Sequence, residues 1–167
     1  AYLKAAQKMS MELKINDVFN ENIITRMEGN QNNKDSLLQI ISEAYLTTDN
    51  YLFENKMNSV ATGIMAGGWI EALYIATHLD SENGEASLVR HKISEQKTSL
   101  DHLVKLLSDC KDTELTIIKS QLMNIQGVYG EMKEVVAADS TKTYNMDNAS
   151  FEKIKADILS LRGSIVN

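Results

Sequence analysis

Glu71, Tyr74 and His78 follow one another at spacings of three and four residues, which on a helix sets a carboxylate, a phenol and an imidazole in one row. Such a row can accept and donate hydrogen bonds, which makes it the candidate site for polar recognition of a ligand. Gly67 precedes the row on the same face and opens room beside it, and Trp69 offers an aromatic wall on the flank. The surrounding stretch from Ala61 to Leu79 reads ATGIMAGGWIEALYIATHL, with Glu71 as its one carboxylate. A helix that is apolar on nearly every side belongs in a protein interior or a membrane, where an unpaired carboxylate is costly. Glu71 therefore needs a partner from another element or a route to water. Two arrangements answer that need: a structural ion pair or hydrogen bond from a neighbouring helix, and a ligand pocket lined by Gly67, Trp69, Glu71, Tyr74 and His78. Either way the expectation is a largely buried Glu71, with Trp69 and Tyr74 lining the same region.

Glycines inside a helix each cost about 1 kcal/mol relative to alanine, so Gly63, Gly67 and Gly68 call for a reason. The four-residue spacing of Gly63 and Gly67 suits close approach of a second helix. A membrane span is disfavoured, because Glu71 near the midpoint opposes insertion by about 2.5–3.5 kcal/mol.

Other chemistry finds little support. His91, Glu95 and His102 share a helical face, but that face is also rich in Arg90, Lys92 and Lys97 and reads as solvated. Glu-x-x-His pairs, HExxH and CxxCH are all absent, so no metal and no haem is expected. There is no GxSxG and no phosphate-cradling glycine loop. Cys110 is the single cysteine, which excludes an intrachain disulfide, and its place at a helix end disfavours a thiolate. No catalytic residues and no cofactor are assigned, and the chain is read as a non-enzyme.

The elements that must hold these residues are helical. Proline is absent, aromatics make up 6% of the 167 residues, and apolar residues recur at threes and fours almost throughout. A first helix covers Ala1 to Leu13. Asp17 caps a short one ending near Glu28, with Gly29 as its left-handed terminator. After the polar run Asn30–Asn33, Asn33 or Asp35 caps a helix from Ser36 to about Glu54 that buries Leu37, Ile41, Ala44, Tyr45 and Leu52. The apolar helix from Val60 to Leu79 is expected to be the most buried element. The turn signal Asn83-Gly84 precedes a helix from Glu85 to Ser108 with Val89, Ile93, Gln96, Leu100, Leu103 and Leu107 along its seam. Asp112 or Thr113 caps the next, whose seam runs Leu115, Ile118, Leu122, Ile125, Tyr129, Met132 and Val136. Residues Ala138–Asp147 form a loop with some strand character, and a last helix, capped by Asn148 or Ser150, carries Phe151, Ile154, Ile158, Leu161 and Ile165. Consecutive heptad-like seams with short connections pack as antiparallel neighbours. The expected fold is all-α: one domain over 1–167, an antiparallel helical bundle of five to seven helices.

Seventeen basic against twenty-three acidic side chains give a net charge of −6, which repels phosphate backbones and argues against nucleic acid as a partner. The opening AYLKAAQKMSMELK lacks an initiator Met and is already in helical rhythm, so the N-terminus is expected to be truncated, with any leader or lipid anchor upstream of residue 1.

Three segments taken together, RMEGNQNNKDSLLQIISEAY (Arg26–Tyr45), AGGWIEALYIATH (Ala66–His78) and ISEQKTSLDHLVKLL (Ile93–Leu107), resemble uncharacterised exported, lipoprotein-like helical proteins of Bacteroidetes bacteria. The resemblance spans about residues 1 to 135, and its most specific part is the core Gly67, Gly68, Trp69, Glu71 and Tyr74. It implies an all-helical fold and an extracytoplasmic setting, periplasmic or outer-membrane associated, and carries no activity with it. The functional expectation is an extracytoplasmic binding module for a protein or small-molecule partner, with a homo-oligomer and an upstream lipid anchor among its forms. The alternative is a sensor or carrier bundle with a small molecule held beside Glu71.

Overall fold

A computed structural model describes residues 2–15, 20–79, 86–136 and 142–166. These residues form helices α1 (Tyr2–Glu12), α2 (Glu21–Gly29), α3 (Lys34–Glu54), α4 (Asn58–His78), α5 (Ala86–Ser94), α6 (Lys97–Ser108), α7 (Thr113–Glu131) and α8 (Asn148–Val166). A two-stranded hairpin, β1 (Lys133–Val136) and β2 (Lys142–Asn145), separates the last two helices. The fold is an all-α helical bundle. The eight helical segments become seven when α5 and α6 are taken as one bent helix, the single Glu85–Ser108 element of the sequence reading. Contacts fall into two compact units, Ala1–Ala61 and Thr62–Asn167.

In the first unit, local hydrogen bonds define the helices. Asn20 Oδ1 accepts the Ile23 N–H at 3.0 Å and Asn33 Oδ1 accepts the Ser36 N–H at 3.1 Å, so asparagines start α2 and α3. Asp17, the expected cap of α2, lies outside the described residues. Gly29 is the last helical residue rather than a left-handed terminator, because Asn30 closes the helix, its side chain donating to the Arg26 carbonyl at 2.7 Å. The left-handed positions fall on lysines instead: Lys14 at φ 61° after α1 and Lys56 at φ 57° after α3. At each, a paired closure satisfies orphan carbonyls, Ile15 N–H to Ser10 and Met57 N–H to Leu52, both at 2.8 Å. On α3 the buried arc is Ile40, Ala44 and Leu52, whereas Ile41 and Tyr45 are exposed. The expected burial of those two is corrected: the core-facing arc passes through Ile40, one residue back. Arg26 joins α2 to α3 through Glu43 at 2.9 Å.

The second unit holds the main core. Ala66, Ile70 and Leu73 of α4, Leu100, Leu103 and Leu107 of α6, Leu122, Ile125 and Tyr129 of α7, and Phe151, Ile154, Ile158 and Leu161 of α8 form one buried cluster. The seams read from the sequence supply its α6, α7 and α8 members named here, whereas Ala66, Ile70 and Leu73 of α4 lay on none of them. Asp112 caps α7 through the Leu115 N–H at 3.0 Å, as expected. For α8 the cap is Asp147, whose carboxylate accepts the Ser150 N–H at 2.7 Å; it is neither Asn148 nor Ser150. That bond holds the Asp147 carboxyl below its usual range.

Two features depart from straight helices. The Ile93 carbonyl accepts the Gln96 N–H at 3.0 Å and also the Tyr129 O–H at 2.8 Å, and the α5–α6 bend sits there. Burial pushes the Tyr129 phenol pKa well up. Further on, α7 stops at Glu131 because Met132 turns extended, at φ −70° and ψ 138°. The seam expected to continue to Val136 is thereby cut short. Strand β1 pairs antiparallel with β2, Lys133 opposite Asn145 and Val136 opposite Lys142, where adjacent valines and the Thr143-Tyr144 pair favour a pleated surface. Lys97 Nζ lies 4.4 Å from the centroid of the Tyr144 ring.

Candidate functional site

Helix α4 has four distinguishable sides in the second unit, a direct result of about 100° of rotation per residue. Thr62, Ala66, Ile70, Leu73 and Thr77 are buried and form the core side. The Glu71–Tyr74–His78 row turns toward α8. There Arg162 grips Glu71 with a fork, Nε to Oε2 at 2.6 Å and Nη2 to Oε1 at 3.2 Å. The Arg162 guanidinium carbon also lies 4.2 Å from the centroid of the Tyr74 ring, and the Tyr74 and His78 ring centroids are 4.2 Å apart. His78 Nδ1 sits 2.7 Å from the Tyr74 carbonyl oxygen, so that nitrogen carries the proton.

The partner from another helix exists, but burial does not follow: the Glu71 side chain is 46% exposed, where the sequence reading had it largely buried. Water reaches the pair because the row lies beside the core side rather than on it. Helix α4 carries five buried residues but is not buried all round, since Met65, Gly67, Gly68, Ala72 and Ile75 are exposed, as is Leu79 just past its end. Gly67 borders open space, with nothing within 4 Å of a Cβ added there, and Gly63 would make only ordinary contact with Leu115. Close helix approach among the described residues therefore explains neither glycine. Trp69 leaves the Glu71 row and faces the opposite flank. Of the five expected site residues, Glu71, Tyr74 and His78 come together around Arg162, Gly67 lies one turn before Glu71 on the same face with open space beside it, and Trp69 does not join them.

The opposite flank carries a cavity instead. Trp69, Ala72, Leu73, Ala76 and Leu79 of α4 and its end, with Leu88, Val89, Lys92, Ile93 and Gln96 on and just after α5, line an open groove of about 410 Å³. Its walls are almost wholly apolar, with Lys92 and Gln96 as the polar groups. The Trp69 Nε1 is buried and meets no acceptor among the described residues. Lys92 is engaged on the outside by Glu95 at 2.8 Å, a carboxylate that His91 also approaches at 3.1 Å. The Lys92 contact, ahead of His91, holds Glu95 below its usual range. Among the described residues no group of three or more His, Cys, Asp or Glu side chains is placed to hold a metal ion.

The fourth side, between the groove and the Glu71 row, is the exposed stripe Met65, Gly68, Ala72, Ile75 and Leu79, spaced 3,4,3,4. By length and composition α4 is the one helix among the described residues able to cross a membrane. Sequence reasoning missed both Arg162 and this stripe. Arg162 had a signal, being one of only three arginines and placed next to the core position Leu161. The stripe carried the same 3,4 rhythm as every core seam, and rhythm alone does not say which side faces inward. No family model, curated protein or solved structure matches the chain.

Proposed function

We propose that this chain is a non-catalytic binding module that takes an apolar partner on the exposed side of α4 and in the groove shared with α5. One observation carries the reading: Met65, Ile75, Leu79 and Leu88 stand exposed around a 410 Å³ apolar groove. Contiguous apolar surface of this kind marks an interaction site more often than an idle surface. The Glu71–Arg162 fork serves to fix α4 against α8, which keeps the neighbouring apolar side in a set orientation. An extracytoplasmic setting accords with the resemblance to exported helical proteins. A second reading, a carrier of a small apolar molecule, draws support from the groove volume, which falls within the range of ligand sites.

Native mass spectrometry of the protein purified from its own host tests the reading. The wild type should retain a second chain or a bound molecule, and Ala72→Arg should lose it while keeping its melting temperature. A bare monomer in both would refute the proposal.

A further inference from the structure

We infer that the groove between α4 and α5 is a site for a single-chain carboxylic acid, its alkyl chain laid along α4 and its head at Lys92; this rests on the small-molecule form of the reading above. The groove has a direction. Helix α5 follows α4 and lines the groove with it, so the residues flanking their connection, Ala76, Leu79, Leu88 and Val89, make one end. Trp69, Lys92 and Gln96 make the other. The first end is wholly apolar, and both polar side chains of the lining, Lys92 and Gln96, lie at the second. From Trp69 to Leu79 the helical chain climbs about 15 Å, roughly the length of a dodecyl chain. A volume of about 410 Å³ drawn out over that length is a slot, which suits an extended chain better than a compact ring system.

The head follows from what the second end leaves unspent. Trp69 Nε1 is a buried donor with no acceptor among the described residues, and such a donor is costly until an oxygen reaches it. Lys92 Nζ carries three donors, of which Glu95 Oε2 engages one at 2.8 Å. Both groups can only donate. They select a head that only accepts and carries negative charge, which is a carboxylate, and they reject an amine. Glu95 does not bar it: His91 Nε2 lies 3.1 Å from its other oxygen and keeps hold of Glu95 when Lys92 turns to the ligand. The Lys92 stem lines the groove while its ammonium stays at the rim, so the chain supplies most of the affinity and the head supplies the selectivity.

Trp69 is the single tryptophan of the chain, so its emission reports on the groove it lines. Titrated below its micellar concentration, dodecanoate should shift that emission saturably and bind more tightly than dodecanol. Lys92→Glu, at an exposed position, should weaken dodecanoate by about tenfold or more and leave dodecanol nearly unchanged, with helicity intact. Ala76→Phe, which fills the slot, should weaken both ligands alike. Protein purified from its own host and then denatured should release a free single-chain acid on mass analysis. Equal binding of dodecanoate and dodecanol by the wild type would overturn the inference, as would a dodecanoate affinity that Lys92→Glu leaves unchanged. Release of a phospholipid in place of a free acid would overturn it in favour of a membrane-derived diacyl ligand. If neither probe moves the emission while the wild type retains a second protein chain that Ala72→Arg loses, the acid site fails and the binding-module reading stands. If neither probe binds and the protein from its host is a bare monomer, both fail.

Discussion

The first unit, residues 1–61, and the second, residues 62–167, are both built of helices, yet they are held by different forces. Among the described residues, the first contributes two large, fully buried side chains, Ile40 and Leu52, and the second contributes ten. Meanwhile Met9, Met11, Leu38, Ile41, Tyr45, Leu46 and Phe53 of the first stand exposed, Phe53 at 78%. In the first unit, side-chain caps at Asn20 and Asn33 and the lysine-centred closures define where each helix begins and ends. In the second, a continuous core does the holding, and the caps only trim the ends. Helix content is thus a poor guide to stability: local hydrogen bonds shape a helix, while burial supplies most of the free energy that keeps it.

The comparison breaks most visibly under truncation of a large side chain. Leu122→Ala, at a fully buried position of the second unit's core, should cost about 2–5 kcal/mol in chemical denaturation. Phe53→Ala removes a larger side chain from the first unit and should move stability by no more than about 0.5 kcal/mol. Equal losses at the two positions would mean that the contrast in burial has no energetic counterpart. Next in size, Tyr129→Phe removes the phenol that engages the Ile93 carbonyl and should cost about 1–3 kcal/mol, with faster amide exchange localised at the α5–α6 bend. Uniform exchange across α5 to α8 would deny the bond its local role.

Smaller still is the Glu71–Arg162 fork. Full burial of Glu71 would have made Glu71→Ala cost about 3–5 kcal/mol. With that side chain 46% exposed, the expected loss falls to about 0.2–1 kcal/mol and shrinks further in high salt. A loss of several kcal/mol, insensitive to salt, would count against the exposed geometry. Smallest, and opposite in sign, is Lys56→Gly. Relieving a left-handed lysine should raise the stability of the first unit by about 0.4–1 kcal/mol, read as slower exchange through the last turn of α3.

Much of this fold could be read before any coordinates. The seams through Leu100, Leu103 and Leu107, through Leu122, Ile125 and Tyr129, and through Phe151, Ile154, Ile158 and Leu161 run at helical period with a polar opposite side, so pattern and packing agree. Helix α4 defeats the same method because it is apolar around most of its circumference, with Glu71 as its one carboxylate, which leaves no broad polar side to mark outside. That is why Glu71 was expected inside and the Met65–Leu79 stripe went unseen. The hairpin was hidden for a different reason: Met132 and Val136 continue the α7 rhythm, and only the pairing of Lys133–Val136 with Lys142–Asn145 reveals the switch to period two. The lysine terminators were invisible because the left-handed region is ordinarily signalled by glycine, and the glycine nearest such a terminus, Gly29, proved helical.

The Tyr129 phenol gives the second unit an optical reporter of its own opening. A phenolate absorbs differently from a phenol, and burial keeps this one protonated above the pH where an unfolded tyrosine would ionise. The folded pKa is raised, so the stabilisation it reflects is complete below the unfolded value near 10 and is lost as pH climbs past it. In an alkaline titration, the delayed part of the absorbance change should therefore coincide with loss of helical circular dichroism. A core contact chosen for its fit thus also dates, in the ultraviolet, the moment at which the core lets water in.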